Sequence, residues 1–147
     1  MSDIYDAKTF DPKHSIGSLV GRVRLEIVDA LDKELAPMDI TAAQYVIIMS
    51  LAIGQADSPS ALCKGISYDP GAMTRMLDRL ERRGLIQRAP NPNDRRSTIL
   101  ELTDEGKAVY PKLRESVVIV LNRFLRDFTK AEARQLESFL ERILANA

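Results

Sequence analysis

Arginines at helical and turn positions are the residues of this chain whose types and spacing predict a chemistry. Arg75 and Arg79 lie four residues apart, which would place both on one face of a helix. Arg95 and Arg96 follow a run rich in proline and asparagine, which is typical of a turn. Because a guanidinium group can bond a phosphate, or the O6 and N7 atoms of guanine together, these residues predict binding to double-stranded DNA.

The distribution of charge along the chain supports this interpretation. The chain has 147 residues, with 21 basic and 21 acidic side chains, so its net charge of zero does not by itself indicate a nucleic-acid partner. The segment from Lys64 to Thr98 holds eight basic and four acidic residues, which gives it a charge of +4, and the rest of the chain carries −4. The cationic charge is therefore concentrated on the segment that contains the four arginines.

The helix that would carry Arg75 and Arg79 has clear start and stop signals. Asp69 can accept a hydrogen bond from a free N–H group of the first turn, and Pro70 fits the first helical position. Gly84 predicts the end of the helix. Apolar residues between these signals recur at helical spacing and predict a buried stripe: Met73, Met76, Leu77 and Leu80. The two arginines would then lie on the opposite, outward face.

A two-stranded ribbon is predicted directly after this helix, because the spacing of apolar residues changes from about 3.6 to about 2. We predict strands at residues 85–88 and 98–102. The residues between them are dense in turn formers and would place Arg95 and Arg96 at or near the tip of the ribbon. The ribbon would therefore present a second cationic group beside the helix.

A short helix is predicted before the basic helix. Ser58 predicts its start and Lys64 its approximate end, and residues 65–69 predict a tight turn. A short helix, a turn and a second helix with a basic outer face form a helix-turn-helix. With the ribbon added, the sequence predicts a winged helix-turn-helix in a mainly α protein.

Strongly apolar helices are predicted on both sides of this unit. One precedes it and two follow it, and Pro111 predicts a kink or a late start in the first of these two. The central unit is too small to cover three such helices, so we predict that they pack in an intermolecular bundle. Residues 1–36 and 104–147 would form N- and C-terminal dimerisation helices, and residues 37–103 the winged helix-turn-helix DNA-binding region.

Several classes of function are excluded by what the sequence lacks. One cysteine, Cys63, and one histidine, His14, cannot supply a zinc site or a disulfide within one chain. The sequence also has no glycine-rich phosphate loop, so we predict neither an enzyme nor a bound cofactor or metal. Without a signal-peptide pattern or a membrane-length apolar run, we expect a cytoplasmic protein that does not bind membranes.

Residues 74–106, TRMLDRLERRGLIQRAPNPNDRRSTILELTDEG, carry the most specific resemblance to a known family. They resemble the recognition helix and wing of the MarR (multiple antibiotic resistance regulator) family of bacterial transcription factors. Asp94 and Arg96 match the Asp-x-Arg motif of that wing, and residues 41–45, TAAQY, match further upstream. The resemblance implies a homodimeric regulator that binds a pseudo-palindromic operator in double-stranded DNA. It also implies a repressor that a small aromatic or phenolic effector releases.

The resemblance assigns DNA contacts by position. The implied DNA-binding residues are Pro70, Ala72, Arg75, Arg79, Arg95 and Arg96, and we expect Asp94 to orient a neighbouring wing arginine. Pro70 and Ala72 have little hydrogen-bonding capacity, which is a departure from the pattern of the family. We therefore expect Arg75 to be the main reader of base edges.

Other interpretations of the same residues stay open. The weak first turn of the basic helix would suit a winged-helix module that binds a protein partner without operator specificity. Cys63 would suit a redox-responsive regulator, although a small core residue is the simpler interpretation. Arg82 and Arg83 suit the end of a helix, where cations are favourable. Arg88 could reach a phosphate or pair with an acidic side chain.

Overall fold

A computed structural model describes residues 3–66 and 69–147 of the chain. Helices dominate the described part, and one antiparallel two-stranded sheet completes it. The elements in chain order are α1 (Ile16–Leu35), a 3-10 helix (Ala36–Met38), α2 (Ala42–Ala52), α3 (Pro59–Ile66), α4 (Pro70–Arg82), β1 (Ile86–Asn91), β2 (Asp94–Leu102), α5 (Asp104–Phe124) and α6 (Lys130–Ala145). The predicted mainly α fold with a winged helix-turn-helix is confirmed. The predicted turn between α3 and α4 includes residues 67 and 68, which lie outside the described residues.

Side-chain caps fix where the helices begin. The Thr41 hydroxyl accepts from the Gln44 N–H at 3.1 Å while the Gln44 side chain accepts from the Thr41 N–H at 3.0 Å, which is a reciprocal capping box at the start of α2. Thr129 and Glu132 form the same arrangement at the start of α6. Each cap satisfies backbone donors that have no partner within the helix.

The wing is longer than the sequence predicted. β1 and β2 pair in register from Ile86 opposite Leu102 to Pro90 opposite Thr98, with an irregularity after Pro90. The Asn91 side chain accepts from the Asn93 N–H at 2.9 Å and closes a tight turn. Arg95 and Arg96 therefore belong to the first residues of β2 rather than to a long loop.

One hydrophobic core connects the winged helix-turn-helix, residues 37–103, to α1 and α5, which together with α6 are the outer helices. Leu35 of α1, Ile48 of α2, Leu80 of α4, Ile86 of β1 and Leu113 of α5 are each at most 1% exposed and belong to the same cluster. The predicted division into a dimerisation region and a DNA-binding region stays a prediction. The shared core means that the two regions are packed together within one protomer.

α5 begins earlier than the proline suggested. We expected a kink or a late start near Pro111, but the helix is continuous from Asp104 to Phe124, so the late start is wrong. The Thr103 hydroxyl accepts from the Gly106 N–H at 3.1 Å and fixes the first turn. Pro111 removes one backbone donor from the interior of α5, and the helix continues through it.

Apolar side chains stay exposed along the outer helices. α6 has no buried residue, and its Phe139 and Ile143 are both 46% exposed. α1 exposes Leu19, Val20 and Val23 in the same way. No single helix in the described ranges is long and apolar enough to cross a membrane. α1 with the 3-10 helix reaches the required length and hydropathy only when it is joined to α2, and the two segments are bent by 79° relative to each other.

Candidate DNA-binding surface

α4 presents its two predicted arginines to solvent. Met73, Leu77 and Leu80 of this helix are buried, so its opposite face is turned outward. Arg75 and Arg79 are exposed on that face. The Asp69 carboxylate accepts from the Ala72 N–H at 3.0 Å and starts the helix at the residue that the sequence predicted. The start signal and the apolar stripe together therefore turn both guanidinium groups away from the core.

The first turn of α4 offers few hydrogen-bonding groups to a ligand. Pro70 has no N–H group, and the Ala72 N–H is already bonded to Asp69. The Thr74 hydroxyl donates to the Pro70 carbonyl at 2.8 Å, so its proton is used within the helix. The first turn is thus largely bonded within the helix, and the role of Arg75 as the main base reader stays a prediction.

The wing carries the second pair of predicted arginines. Arg95 and Arg96 are exposed at the start of β2, beside the tight turn. The Asp94 carboxylate accepts from the Arg96 backbone N–H at 2.9 Å. Asp94 thus holds the backbone at Arg96, and its orienting role toward the side chain of a wing arginine stays a prediction.

Two other arginines of the basic segment are engaged within the protein. Arg88 of β1 lies 3.3 Å from Glu81, Nε to Oε2, and 3.7 Å from Asp78, both on α4. Arg83 donates to the backbone carbonyls of Met38, at 3.1 Å, and Asp39. Of the alternatives open for Arg88, the structure shows pairing with acidic side chains. Arg83 ties the end of α4 to the connection between α1 and α2.

The remaining arginines of the segment keep their charge available. Within residues 3–66 and 69–147, the ion pairs include none with Arg75, Arg79, Arg82, Arg95 or Arg96. All five are exposed, on α4 or on the wing. Since an exposed guanidinium without a carboxylate partner can neutralise a phosphate, this set is the cationic face of the protein.

A cleft beside α4 adds one residue to the surface that the sequence assigned. The cleft has a volume of about 500 Å³, and Arg79 and Arg82 line it together with Thr41, the cap of α2, and Gln44 of that helix. The sequence indicates Arg82 only as a cation that suits the helix end, because helical spacing alone does not show that α2 approaches the end of α4. Its place beside Arg79 makes it a further candidate for phosphate contact.

A second cleft lies between α1 and α2. It has a volume of about 590 Å³. Its lining is largely apolar and includes Leu25, Val28 and Tyr45, and Arg24 also lines it. Burial raises the pKa of Tyr45, the nearby Tyr110 raises that pKa further, and Arg114 partly offsets both effects. The phenol of Tyr45 therefore stays protonated at neutral pH. No pattern in the sequence indicated this cleft.

Cys63 is half-buried on α3 and packs against the hydrophobic core. This position favours the interpretation as a small core residue, and the redox interpretation stays a hypothesis. In the described part of the chain, no group of histidine, cysteine and acidic residues could hold a metal ion.

Comparisons with known proteins agree with this architecture. The MarR family model matches residues 40–98. The multiple antibiotic resistance protein MarR of Escherichia coli is 37% identical to this chain over 130 residues, which cover 88% of this chain and 90% of that protein.

Solved structures extend the likeness to three dimensions. A mutant of Escherichia coli MarR complexed with operator DNA matches with a TM-score of 0.76 and 35% identity, over 92% of this chain and 99% of that one. CouR from Rhodococcus jostii, bound to p-coumaroyl-CoA, matches with a TM-score of 0.78 and 26% identity, over 89% and 92%. The resemblance found in the sequence is confirmed, and this chain belongs to the MarR family of transcriptional regulators.

Proposed function

We propose that the protein is a dimeric repressor that binds a pseudo-palindromic operator and is released by a small aromatic or phenolic effector. The observation that carries the proposal is the set of exposed arginines on α4 and the wing that have no carboxylate partner within residues 3–66 and 69–147. A DNA target also supports the expected cytoplasmic location. The operator complex of Escherichia coli MarR supports the same target class, because that structure matches most of this chain.

The recognition helix of this proposal is α4. Its outward face would enter the major groove, where Arg75 bonds guanine O6 and N7 and Arg79 bonds a phosphate. Pro70 and Ala72 would contact DNA by shape, because they offer no free side-chain donor. Arg95 and Arg96 of the wing would lie in or beside the minor groove, where the negative potential favours arginine.

A homodimer supplies the second recognition helix. The exposed apolar faces of α1 and α6 need a partner surface, and a second copy of the chain would cover them. Two α4 helices related by a twofold axis would read two half-sites about 34 Å apart, one turn of the duplex. The inverted repeat expected of the operator follows from this symmetry.

The effector site of this proposal is the cleft between α1 and α2. Its apolar walls suit an aromatic ring, and Arg24 and the protonated Tyr45 suit a carboxylate. Asp32 and Thr41 line this cleft and also the cleft that holds Arg79 and Arg82. Because the Asp32 carboxylate accepts from the Ala42 N–H at 2.7 Å, a ligand that displaced Asp32 would move the start of α2 beside α4. CouR, which binds p-coumaroyl-CoA, supports the chemical class.

Selection from a pool of random duplexes with the purified protein tests the proposal. We expect enrichment of an inverted repeat, protection of two successive major grooves, and loss of the complex when p-coumarate or its CoA thioester is added. Enrichment of no sequence, with only salt-sensitive binding to any duplex, would contradict operator recognition.

A protein-interaction module without operator specificity is the second candidate, and the poor hydrogen-bonding capacity at the start of α4 favours it. The same selection separates the two, because enrichment of a palindrome excludes the module. A redox-responsive regulator is tested by adding peroxide to the operator complex of the wild type and of Cys63→Ser. Release of the wild type alone would support it.

A further inference from the structure

Thr103 connects the recognition helix to α5 through three hydrogen bonds. Its hydroxyl donates to the Gly84 carbonyl at 2.5 Å and accepts from the Gly106 N–H at 3.1 Å. Its backbone N–H donates to the Leu85 carbonyl at 3.1 Å. One residue therefore caps α5 and holds the chain that leaves α4.

The segment that Thr103 holds is itself fixed to α4. Gly84 has a φ of +71°, the left-handed conformation that ends helices, and its N–H donates to the Glu81 carbonyl at 3.0 Å. The Leu85 N–H donates to the Leu80 carbonyl at 3.1 Å. Leu85 is thus bonded to α4 through its N–H group and to Thr103 through its carbonyl.

Gly106 brings the two backbones into direct contact. A Cβ atom at this position would lie 2.1 Å from the Leu85 carbonyl oxygen and 3.3 Å from the Leu102 Cβ. Only glycine allows the first turn of α5 to approach the chain that leaves α4 so closely. The connection consists of backbone atoms and one short side chain, with no long side chain that could change rotamer.

We infer that Thr103 is a positioning residue that sets the angle between α4 and α5. The inference rests on the proposed function, in which the outer helices join two copies. When α5 is fixed in the dimer, the angle at Thr103 decides the separation of the two α4 helices. That separation selects the distance between operator half-sites, so Thr103 determines specificity for spacing without touching DNA.

Substitutions at Thr103 can separate positioning from helix capping. Thr103→Asp keeps a good cap acceptor for α5 but has no proton to donate to Gly84. Thr103→Ser keeps both functions and should behave as the wild type, whereas Thr103→Val removes both. Thr129→Asp likewise replaces a capping hydroxyl by a carboxylate, at the start of α6. Within residues 3–66 and 69–147 the hydrogen bonds of Thr129 stay inside α6 and its cap, so this variant serves as the matched control.

The first measurement needs no DNA. Nitroxide labels at Arg82→Cys, in a Cys63→Ser background, report the distance between the two α4 helices of a dimer by pulsed electron paramagnetic resonance. We expect a narrow distribution for the background protein, Thr103→Ser and Thr129→Asp, and a broader or shifted one for Thr103→Asp and Thr103→Val. Equal distributions in folded variants, as judged by circular dichroism, would overturn the inference.

The second measurement uses unlabelled protein and the selected operator, with the half-sites moved closer together or further apart. The wild type should prefer the selected spacing over the altered ones, and this preference should be about tenfold smaller in Thr103→Asp. The reason is that two loosely held α4 helices have a lower effective concentration at the correct spacing. An unchanged preference in that variant overturns the inference. If the wild type selects no inverted repeat, the proposed function fails, and the distance measurement still decides the role of Thr103. A monomer in light scattering overturns both.

Discussion

Arg88 lies 3.3 Å from Glu81, Nε to Oε2, and joins β1, the first strand of the wing, to α4. Both side chains are 40% exposed, so the pair stabilises the fold by only about 0.2–1 kcal/mol. We predict that Arg88→Met lowers the free energy of unfolding by no more than about that amount. Urea denaturation of Arg88→Met, Glu81→Gln and the double variant gives the coupling energy.

The same variant distinguishes pairing from phosphate contact. Because Arg88 is neutralised by Glu81 and Asp78, Arg88→Met should leave the salt dependence of operator binding unchanged. A fall in the slope of log K against log salt by about 0.9 would instead show that Arg88 contacts a phosphate.

Arg75→Ala should weaken operator binding by about 1–3 kcal/mol and relax specificity at one base pair of each half-site. The reason is the loss of the exposed guanidinium that can bond two guanine acceptors. Affinities for the operator and for its single-base variants measure both effects. Lys112→Ala removes an exposed charge from α5 and is the control; an equal loss in that variant would show a general effect of charge.

Replacing Arg95 and Arg96 by alanine together should flatten the salt dependence of binding. Each phosphate contact contributes about 0.9 to the slope, so the slope should fall by roughly 1.8. The ranking of operator variants that differ at major-groove positions should be retained, because the wing is expected in or beside the minor groove, where it meets phosphates rather than base edges of the major groove. Titrations at several salt concentrations measure the slope; a changed base ranking would assign the wing a reading role.

Gly106→Ala should destabilise the protein by about 1–3 kcal/mol, as overpacking does. The added Cβ would lie 2.1 Å from the Leu85 carbonyl oxygen, so backbone must move. Ala108→Gly, at an exposed position in the same part of α5, should cost only about 0.5–1 kcal/mol through helix propensity. Denaturation midpoints compare the two, and a neutral Gly106→Ala would contradict the close approach.

Glu132 should make stability depend on pH in the acid range. Hydrogen bonds from the Thr129 N–H and then from the Thr129 hydroxyl hold the pKa of Glu132 below its ordinary value of 4.5. This contribution is present above pH 4.5 and is lost as the pH falls through the lowered pKa of the folded state. Glu132→Gln keeps an acceptor that does not titrate, so the variant should gain stability relative to the wild type on acidification. Unfolding across a pH series, with the exposed Glu137→Gln as control, checks this; identical profiles for both variants would contradict it.

Local signals predicted where the elements begin, because a cap acts over three residues. Thr41, Asp69 and Thr129 each bond a backbone N–H group three positions later, as their neighbours in the sequence suggested. The spacing of apolar residues is also a local signal, and it predicted the outward face of α4.

Contacts between distant elements could not be predicted in this way. The partners of Arg88 depend on how the wing folds back on α4, and the carbonyls that Arg83 contacts lie more than forty residues away. The two clefts are bounded by helices whose approach no local pattern encodes. A glycine within a helix usually weakens it, whereas the lack of a side chain at Gly106 is what the contact with Leu85 requires.

Because α1 and α6 expose apolar side chains that a second copy would cover, the stability of this regulator depends on its own concentration. Where folding and association are coupled, mass action raises the unfolding midpoint with protein concentration. Once protomers outnumber dimers, the concentration of dimer falls with the square of that of the protomer. A growing cell that stops synthesising the chain would therefore lose the DNA-binding species faster than it dilutes the polypeptide.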